Sequence, residues 1–291
     1  MTMICTLCPR RCGAVRTEAR GEGFCGMPAL PVVARAALHH WEEPSISGSS
    51  GSGTVFFSGC VLGCVFCQNG SISHGGFGKT VTVERLREIF EELIAQGAHN
   101  INLVSPTPYA HVIREALEDP LPVPVVWNTG GYERVETLRS LEGKVQIWLP
   151  DLKYADGDLA ARYSGATDYF PVAADAILEM YRQAGDYVLE DGLLRRGVVI
   201  RHLLLPGALD NAKRVMDWVA EHFRPGQVLF SLMSQYTPQP GAEGLLRRRV
   251  TGAEYRAALQ YMENLGITDG YRQDSSSAKE EYTPPFDLTG V

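Results

Sequence analysis

Apolar side chains recur at helical spacing in one part of the chain and form a short run in another. From residue 83 to residue 96 they recur every three or four positions, which predicts an amphipathic helix that Gly97 ends. The apolar members of this helix are Leu86, Ile89, Phe90, Leu93 and Ile94. Residues 54–58, in contrast, have an apolar centre too short for a helix and predict a buried strand.

The same alternation of a strand with a helix continues along the chain. Further strands are predicted at 101–104, 124–127, 145–149, 198–205 and 228–232. Further helices are predicted at 110–117, 133–141, 173–183, 209–222 and 252–264. Six such units predict an α/β fold with a parallel sheet, either curved into a partial barrel or opened as a doubly wound sheet. Ligands then collect beyond the carboxyl ends of the strands, so functional residues are expected in those loops.

Composition and charge exclude several classes of partner. With 291 residues, 45% of them hydrophobic, the chain can form one large domain or two small ones. Its formal net charge of −7 is unlike that of proteins that neutralise phosphates, so no nucleic-acid partner is expected. No apolar stretch of about 18 residues could span a bilayer, and residues 1–5 do not resemble a signal peptide. A cytoplasmic protein without a membrane partner is therefore expected.

The cysteines are best explained as metal ligands or catalytic groups. Disulfides rarely persist in a reducing cytosol, and the seven thiols, an odd number, cannot pair completely. The thiols fall into two groups separated by more than thirty residues. The first group is Cys5, Cys8, Cys12 and Cys25, and the second is Cys60, Cys64 and Cys67.

Changes in composition along the chain predict its domain boundaries. Residues 43–53 are rich in Ser, Gly and Pro, which predicts a flexible or turning connector. The connector would separate a cysteine-rich metal-binding module at 1–42 from the main domain at 54–269. Residues 270–291 contain Pro284 and Pro285 and predict an irregular C-terminal tail.

The second cysteine group follows directly on the first predicted strand. Cys60, Cys64 and Cys67 are separated by three and by two residues, so their thiolates can bind three irons of a [4Fe–4S] cluster and leave the fourth iron open. Gly59 and Gly63 would allow the backbone to turn tightly here. A zinc site is the alternative, but this spacing is not that of the usual pair of zinc knuckles.

This loop resembles the cluster loop of the radical S-adenosylmethionine (SAM) superfamily, whose signature is Cys-x3-Cys-x-aromatic-Cys after the first strand. The wider resemblance covers most of residues 54–234 and is greatest to the pyruvate formate-lyase activating enzyme group, especially relatives with extra N-terminal cysteines. It implies a partial (β/α)6 barrel and a [4Fe–4S] cluster whose open iron is chelated by SAM. It also implies one-electron cleavage of SAM to a 5′-deoxyadenosyl radical that abstracts hydrogen, and an electron donor such as flavodoxin or ferredoxin.

The resemblance further implies which residues face SAM. Leu-Pro-Asp151-Leu-Lys153 and Val-Ile-Arg201-His match motifs at strand ends of the activating enzymes, so Asp151, Lys153 and Arg201 are expected at the SAM site. Lys153 and Arg201 are the expected catalytic residues, since their charges could bind the methionyl carboxylate or a substrate anion. Surface ion pairing is the alternative for all three.

Five further residues are candidate cofactor contacts because they follow or end predicted strands. Asn128 and Thr129 end the third strand, where a turn or capping role is the alternative, and Ser231 lies where the sixth strand emerges. The activating enzymes hold the SAM amino group with a Gly-Gly-Glu turn after the second strand, whereas this chain has Ser105 and Thr107 there. These hydroxyls cannot supply the missing negative charge, which places activation of a glycyl-radical enzyme in doubt.

The N-terminal cysteines allow two kinds of metal site. Four thiols are enough to close a tetrahedral zinc site or to bind all four irons of an auxiliary [4Fe–4S] cluster, and the spacing does not distinguish them. The leading functional hypothesis is a radical SAM oxidoreductase whose substrate, a protein such as a glycyl-radical enzyme or a small molecule, is unknown. The alternative is a non-catalytic metal–sulfur protein that serves as an electron carrier or interaction module.

Overall fold

A computed structural model of the chain describes residues 2–273 and 284–291. The strands in these residues are β1 (Thr2–Ile4), β2 (Val15–Thr17), β3 (Val32–His39), β4 (Ser52–Phe57), β5 (Lys79–Thr80), β6 (Ile101–Val104), β7 (Val125–Thr129), β8 (Ile147–Pro150), β9 (Val188–Glu190), β10 (Leu193–Leu203), β11 (Leu229–Met233) and β12 (Gly270–Arg272). The α-helices are α1 (Pro44–Ser47), α2 (Gly70–Ser73), α3 (Val83–Ala95), α4 (Ala110–Ala116), α5 (Val135–Arg139), α6 (Gly157–Ser164), α7 (Tyr169–Ala184), α8 (Leu209–His222) and α9 (Gly252–Asn264). Two 3-10 helices lie at Thr107–Tyr109 and Gly244–Arg247.

The main sheet contains six parallel strands in the order β4, β6, β7, β8, β10 and β11. On the β4 side, β3 adds as an antiparallel strand and β5 pairs with β3, while β12 extends the other edge parallel to β11. Helices connect the parallel strands, and the two edges of the sheet do not pair with each other. The predicted partial (β/α)6 barrel is therefore confirmed.

Capping side chains and apolar faces explain where two of the longer helices form. In α3, the Thr82 hydroxyl accepts a hydrogen bond from the Arg85 amide at 3.2 Å, which satisfies one of the free amides of the first turn. In α9, Thr251 and Glu254 form a reciprocal capping box. The apolar face of α3 is buried against the sheet and that of α9 against α8, which explains why helical spacing alone located these two elements.

The predicted connector at 43–53 is wrong, because the segment is packed inside the domain. Ile46 of α1 is fully buried in the barrel interior with apolar side chains of β7, β8, β10 and β11. The small residues serve close packing instead of flexibility: a Cβ at Gly53 would lie 2.9 Å from the Ala98 side chain. The N-terminal module is also not separate from the main domain, since β3 pairs with β4 from Val33 to His39.

Within the described residues, the predicted irregular tail is partly regular: Gly270–Arg272 forms β12, which pairs with β11, and residues 284–291 pack across β3. The Leu288 amide donates to the Ala34 carbonyl at 3.0 Å, and the Ala36 amide donates to the Thr289 carbonyl at 2.8 Å. Residues 274–283 of the predicted tail lie outside the described residues. In the residues that the structure covers, none of the helices combines the length and apolar character needed to cross a membrane.

Candidate active site

A cavity of about 460 Å³ lies at the carboxyl ends of the parallel strands. The three-cysteine loop after β4 lines one side, and polar residues at the ends of β7, β8, β10 and β11 line the others. The segment 39–44, between β3 and α1, also contributes to the lining. The predicted position of the functional residues, beyond the strand ends, thus corresponds to an enclosed space large enough for a small molecule.

All three thiols of the cluster loop line this cavity. Gly59 and Gly63 have φ angles of 84° and 63°, a left-handed conformation that lets the loop turn back twice within five residues. Burial, together with the charges of the other two cysteines, raises the pKa of the Cys67 thiol to about 12. In the described parts of the chain no three Cys, His, Asp or Glu side chains are already gathered around one point as metal ligands. The residues fit a [4Fe–4S] cluster because three thiols, which are soft ligands when deprotonated, lie in one loop and line one cavity.

Hydrogen bonds and aromatic rings surround Cys64. The Ser164 hydroxyl donates to its sulfur at 3.0 Å, and the Tyr154 hydroxyl lies 4.0 Å from the same atom. Phe66 is buried beside the loop and packs edge-on against Tyr154, with a centroid distance of 6.4 Å. Phe66 therefore covers one side of the loop.

The predicted residues Asp151, Lys153 and Arg201 form one ion network in the cavity wall. Arg201 Nε donates to Asp151 Oδ1 at 2.8 Å, and Lys153 Nζ donates to Asp151 Oδ2 at 2.5 Å. Burial alone would raise the pKa of Asp151, but the charges of Arg201 and Lys153 outweigh burial and hold the pKa below its usual value. The structure therefore places these side chains together inside the protein, which removes the alternative of surface ion pairing.

Glu42 completes this network, and no sequence pattern pointed to it. Its carboxylate accepts from Arg201 Nη1 at 2.9 Å and from the side-chain amides of Asn102 and Asn128 at 2.8 and 2.9 Å. Asn128 also accepts from Arg201 Nη2 at 2.6 Å. The end of the predicted N-terminal module, just before the predicted connector, thus carries a carboxylate into the barrel, where β6, β7 and β10 all contact it.

Two of the predicted cofactor-binding hydroxyls point to a different partner. Thr107 and Thr129 both donate to Glu133 Oε1 at 2.5 Å, and Trp127 Nε1 lies 3.3 Å from the same oxygen. Thr107 is buried and does not line the cavity, so its position does not support a contact with the cofactor. Burial raises the pKa of Glu133, and the two hydroxyls offset part of that cost. Ser105, Thr129 and Ser231 do line the cavity.

Comparison with known proteins identifies the family. A profile of the radical SAM superfamily matches residues 54–219, more than half of the chain. The chain belongs to the radical SAM superfamily. An uncharacterised protein of Methanocaldococcus jannaschii is 30% identical over 277 residues, which cover 90% of this chain and 75% of that protein.

Similar solved structures support the fold of this radical SAM chain. SuiB of Streptococcus suis, bound to SAM, matches with a TM-score of 0.51 and 14% identity over 76% of this chain. The chain spans about half of SuiB, 50% of its length, and at this identity the likeness shows the fold alone. A domain of pyruvate formate-lyase activating enzyme from Bacteroides vulgatus matches at 14% identity, over 66% of this chain and 91% of that domain. Its TM-score of 0.38 is too low to carry an argument. Membership of the superfamily implies a [4Fe–4S] cluster and SAM as cofactors.

The N-terminal cysteines of this radical SAM protein lie beside its cluster loop. Burial, together with the charges of the neighbouring Cys5 and Cys25, raises the pKa of Cys8 to about 12. Arg16 is only 1% exposed, and its guanidinium lies 3.6 Å from the Cys5 sulfur. Cys12 is exposed.

Arg10 joins this module to the cluster loop. Its guanidinium donates to the Val61 and Leu62 carbonyls at 2.8 and 3.1 Å and to the Ser164 carbonyl at 2.6 Å. The same group stacks over the ring of Phe24, 3.9 Å from its centroid. The module therefore contacts the backbone that carries the site's cysteines.

Proposed function

We propose that this protein is an oxidoreductase that cleaves SAM reductively and uses the resulting radical to abstract hydrogen from a substrate in the 460 Å³ cavity. The observation that carries the proposal is that Cys60, Cys64 and Cys67 line the same cavity as the buried network of Asp151, Lys153 and Arg201. An electron carrier normally coordinates every iron of its cluster with protein ligands. A loop with three thiols facing a polar cavity favours catalysis over the alternative of a carrier or interaction module.

In this proposal the three thiolates of the loop hold the [4Fe–4S] cluster. When bound, the cluster supplies one electron that breaks the sulfur–carbon 5′ bond of SAM, which yields methionine and the radical that takes a hydrogen atom. Lys153 and Arg201 are proposed to bind the methionyl carboxylate, and Asp151 holds the two cations in position through its paired oxygens. Asn128, Ser105, Thr129 and Ser231 are proposed as further polar contacts of the cofactor, because they line the cavity.

The physiological setting is also part of the proposal. The cluster must be reduced, so an electron donor such as flavodoxin or ferredoxin is required. Seven free thiols are consistent with the reducing cytoplasm. A glycyl-radical enzyme is one candidate substrate, by analogy with the activating enzymes, and a small molecule or another protein is the other.

We further propose that Cys5, Cys8, Cys12 and Cys25 bind a second metal centre, either zinc or an auxiliary [4Fe–4S] cluster. Three of these thiols are close enough for the charges of Cys5 and Cys25 to raise the pKa of Cys8. Their segment contacts the cluster loop through Arg10. Zinc would stabilise the module, whereas a second cluster would lie beside the first as an electron relay.

Formation of 5′-deoxyadenosine tests the proposed function. The parent protein, reconstituted anaerobically with iron and sulfide, is given SAM and a strong reductant, beside a variant with Cys60, Cys64 and Cys67 changed to Ala. We expect product from the parent alone, and about four fewer irons per chain in the variant. A parent that contains the cluster but makes no product would contradict catalysis and favour the electron carrier.

A variant with all four N-terminal cysteines changed to Ser is the matched control. It keeps the cluster loop, so iron and zinc measured per chain in all three proteins assign the metals to the two thiol groups. Loss of about four irons identifies an auxiliary cluster, and loss of one zinc identifies a structural site. Unchanged metal content would overturn the proposed second centre.

A further inference from the structure

Glu43 is a buried carboxylate that lines the cavity and lacks a partner for one oxygen. The residue is 8% exposed, and within the described residues Oε2 makes no hydrogen bond. Glu43 lies at the N-cap position of α1, and its side chain makes no capping hydrogen bond there.

The cations nearest to Glu43 are already engaged by other groups. The closest nitrogen, Arg201 Nη1, lies 3.9 Å from Oε2 but donates to Glu42 at 2.9 Å. The other two hydrogen-bonding nitrogens of Arg201 donate to Asp151 and Asn128. Asp151, Glu42 and Glu43 are three carboxylates, against the two cations Lys153 and Arg201, so this wall of the cavity carries one excess negative charge when Glu43 is ionised.

A buried carboxylate oxygen without a donor costs folding free energy, which a ligand can offset by supplying the missing donor and charge. The atom without a donor is the buried Oε2, and an ammonium group, a compact cation with three donors, can supply both a donor and a positive charge at that point.

We propose that Glu43 is the counter-ion for an ammonium group of the substrate, which makes the substrate an amine. The proposal rests on the proposed function, since it places this substrate in the cavity beside the cofactor. It assigns to this chain a specificity-determining residue that lies outside the barrel strands, in the segment between β3 and α1. The excess negative charge at the Glu43 wall is then neutralised when the amine binds.

Binding of a simple amine tests the proposal without any turnover. The reconstituted protein with SAM bound, and no reductant, is titrated with n-butylammonium chloride and separately with 1-butanol, which has the same chain but no charge. The titrations are repeated with Glu43→Gln and with Glu221→Gln, a control carboxylate on the exposed face of α8. SAM affinity is measured for each protein.

We expect n-butylammonium to bind the parent more tightly than 1-butanol, and Glu43→Gln to lose about tenfold or more of that affinity, as for a charged hydrogen bond. Glu221→Gln should bind like the parent. Without added amine, Glu43→Gln should melt at a higher temperature than the parent, because an unsatisfied charge has been removed.

Three results would overturn the proposal. If the parent binds the amine and the alcohol with equal affinity, the charge of the ammonium group does not contribute to binding. A lower melting temperature of Glu43→Gln with unchanged amine affinity makes Glu43 a structural residue. A tenfold loss of SAM affinity without amine binding assigns Glu43 to the cofactor. Formation of 5′-deoxyadenosine is measured on the same preparations, so failure of SAM cleavage is distinguished from failure of the amine site.

Discussion

Replacing Glu43 by Gln should stabilise the protein, and the gain should depend on pH. Burial raises the pKa of Glu43 from 4.5 to about 7 despite the opposing charge of Arg201. Between these two pH values Glu43 keeps its proton in the folded protein and loses it in the unfolded chain. Below about pH 4.5 Glu43 therefore does not lower the free energy of unfolding, and as the pH rises through about 7 this stability is lost.

The magnitude follows from the pKa difference. A pKa difference of about 2.5 units lowers the free energy of unfolding by about 3 kcal/mol above pH 7. Because the protein relaxes around the charged carboxylate, we expect a loss of about 1–3 kcal/mol. A chain of 291 residues has an unfolding entropy of about 0.6 kcal/mol/K. Glu43→Gln should therefore raise Tm by about 2–5 °C at pH 8 and leave it nearly unchanged at pH 5.

Thermal melts of the reconstituted parent and variant, measured at both pH values, check this prediction. The charged and titratable groups that face Glu43 are Glu42, Arg201 and Tyr271, and they are the same in both proteins. The difference between the two melts therefore isolates Glu43. A variant that melts below the parent at pH 8, or a gain of equal size at pH 5 and pH 8, would refute the reasoning.

Three further substitutions test the contacts around the site. Arg201→Leu leaves buried carboxylates without their cation, so we expect a loss of about 3–5 kcal/mol in unfolding free energy by denaturant titration, and loss of SAM binding by calorimetry. Ser164→Ala removes the hydroxyl that donates to the Cys64 sulfur, and it should lower the reduction potential of the cluster in an anaerobic titration while iron content stays unchanged. Arg10→Ala removes donors to four backbone carbonyls, and limited proteolysis should then cleave the N-terminal module faster than in the parent. An unchanged potential or cleavage rate would show that the corresponding contact has no such effect.

The local pattern of the chain was enough to predict the repeated units of the barrel. The bounds of β6, α8 and α9 were predicted to the residue, because each is a short apolar run or an amphipathic repeat. The cysteine loop was also visible in sequence, since its three thiols lie within eight residues and its chemistry depends on their spacing. Both features depend on neighbours along the chain.

Elements whose partners are distant in sequence escaped prediction. β3 has no separate signal, because its role as the antiparallel neighbour of β4 depends on pairing across the intervening α1 segment. The small residues of 43–53 have the composition of a linker, but in the folded protein Ser45, Ile46 and Ser47 are buried and Gly53 packs closely against Ala98. The composition of a segment indicates how flexible it would be in isolation. It does not indicate which distant parts of the chain pack against the segment in the folded protein.

The sequence by itself determined the superfamily, the partial barrel and the residues Asp151, Lys153 and Arg201 of the site. Only the tertiary structure decided that Glu42 and Glu43 enter the barrel, and that Thr107 binds Glu133 instead of facing the cavity. The physical reason is that a carboxylate's role depends on its burial and on the donors around it. Those donors come from β6, β7 and β10, which lie 60 to 159 residues from Glu42 along the chain.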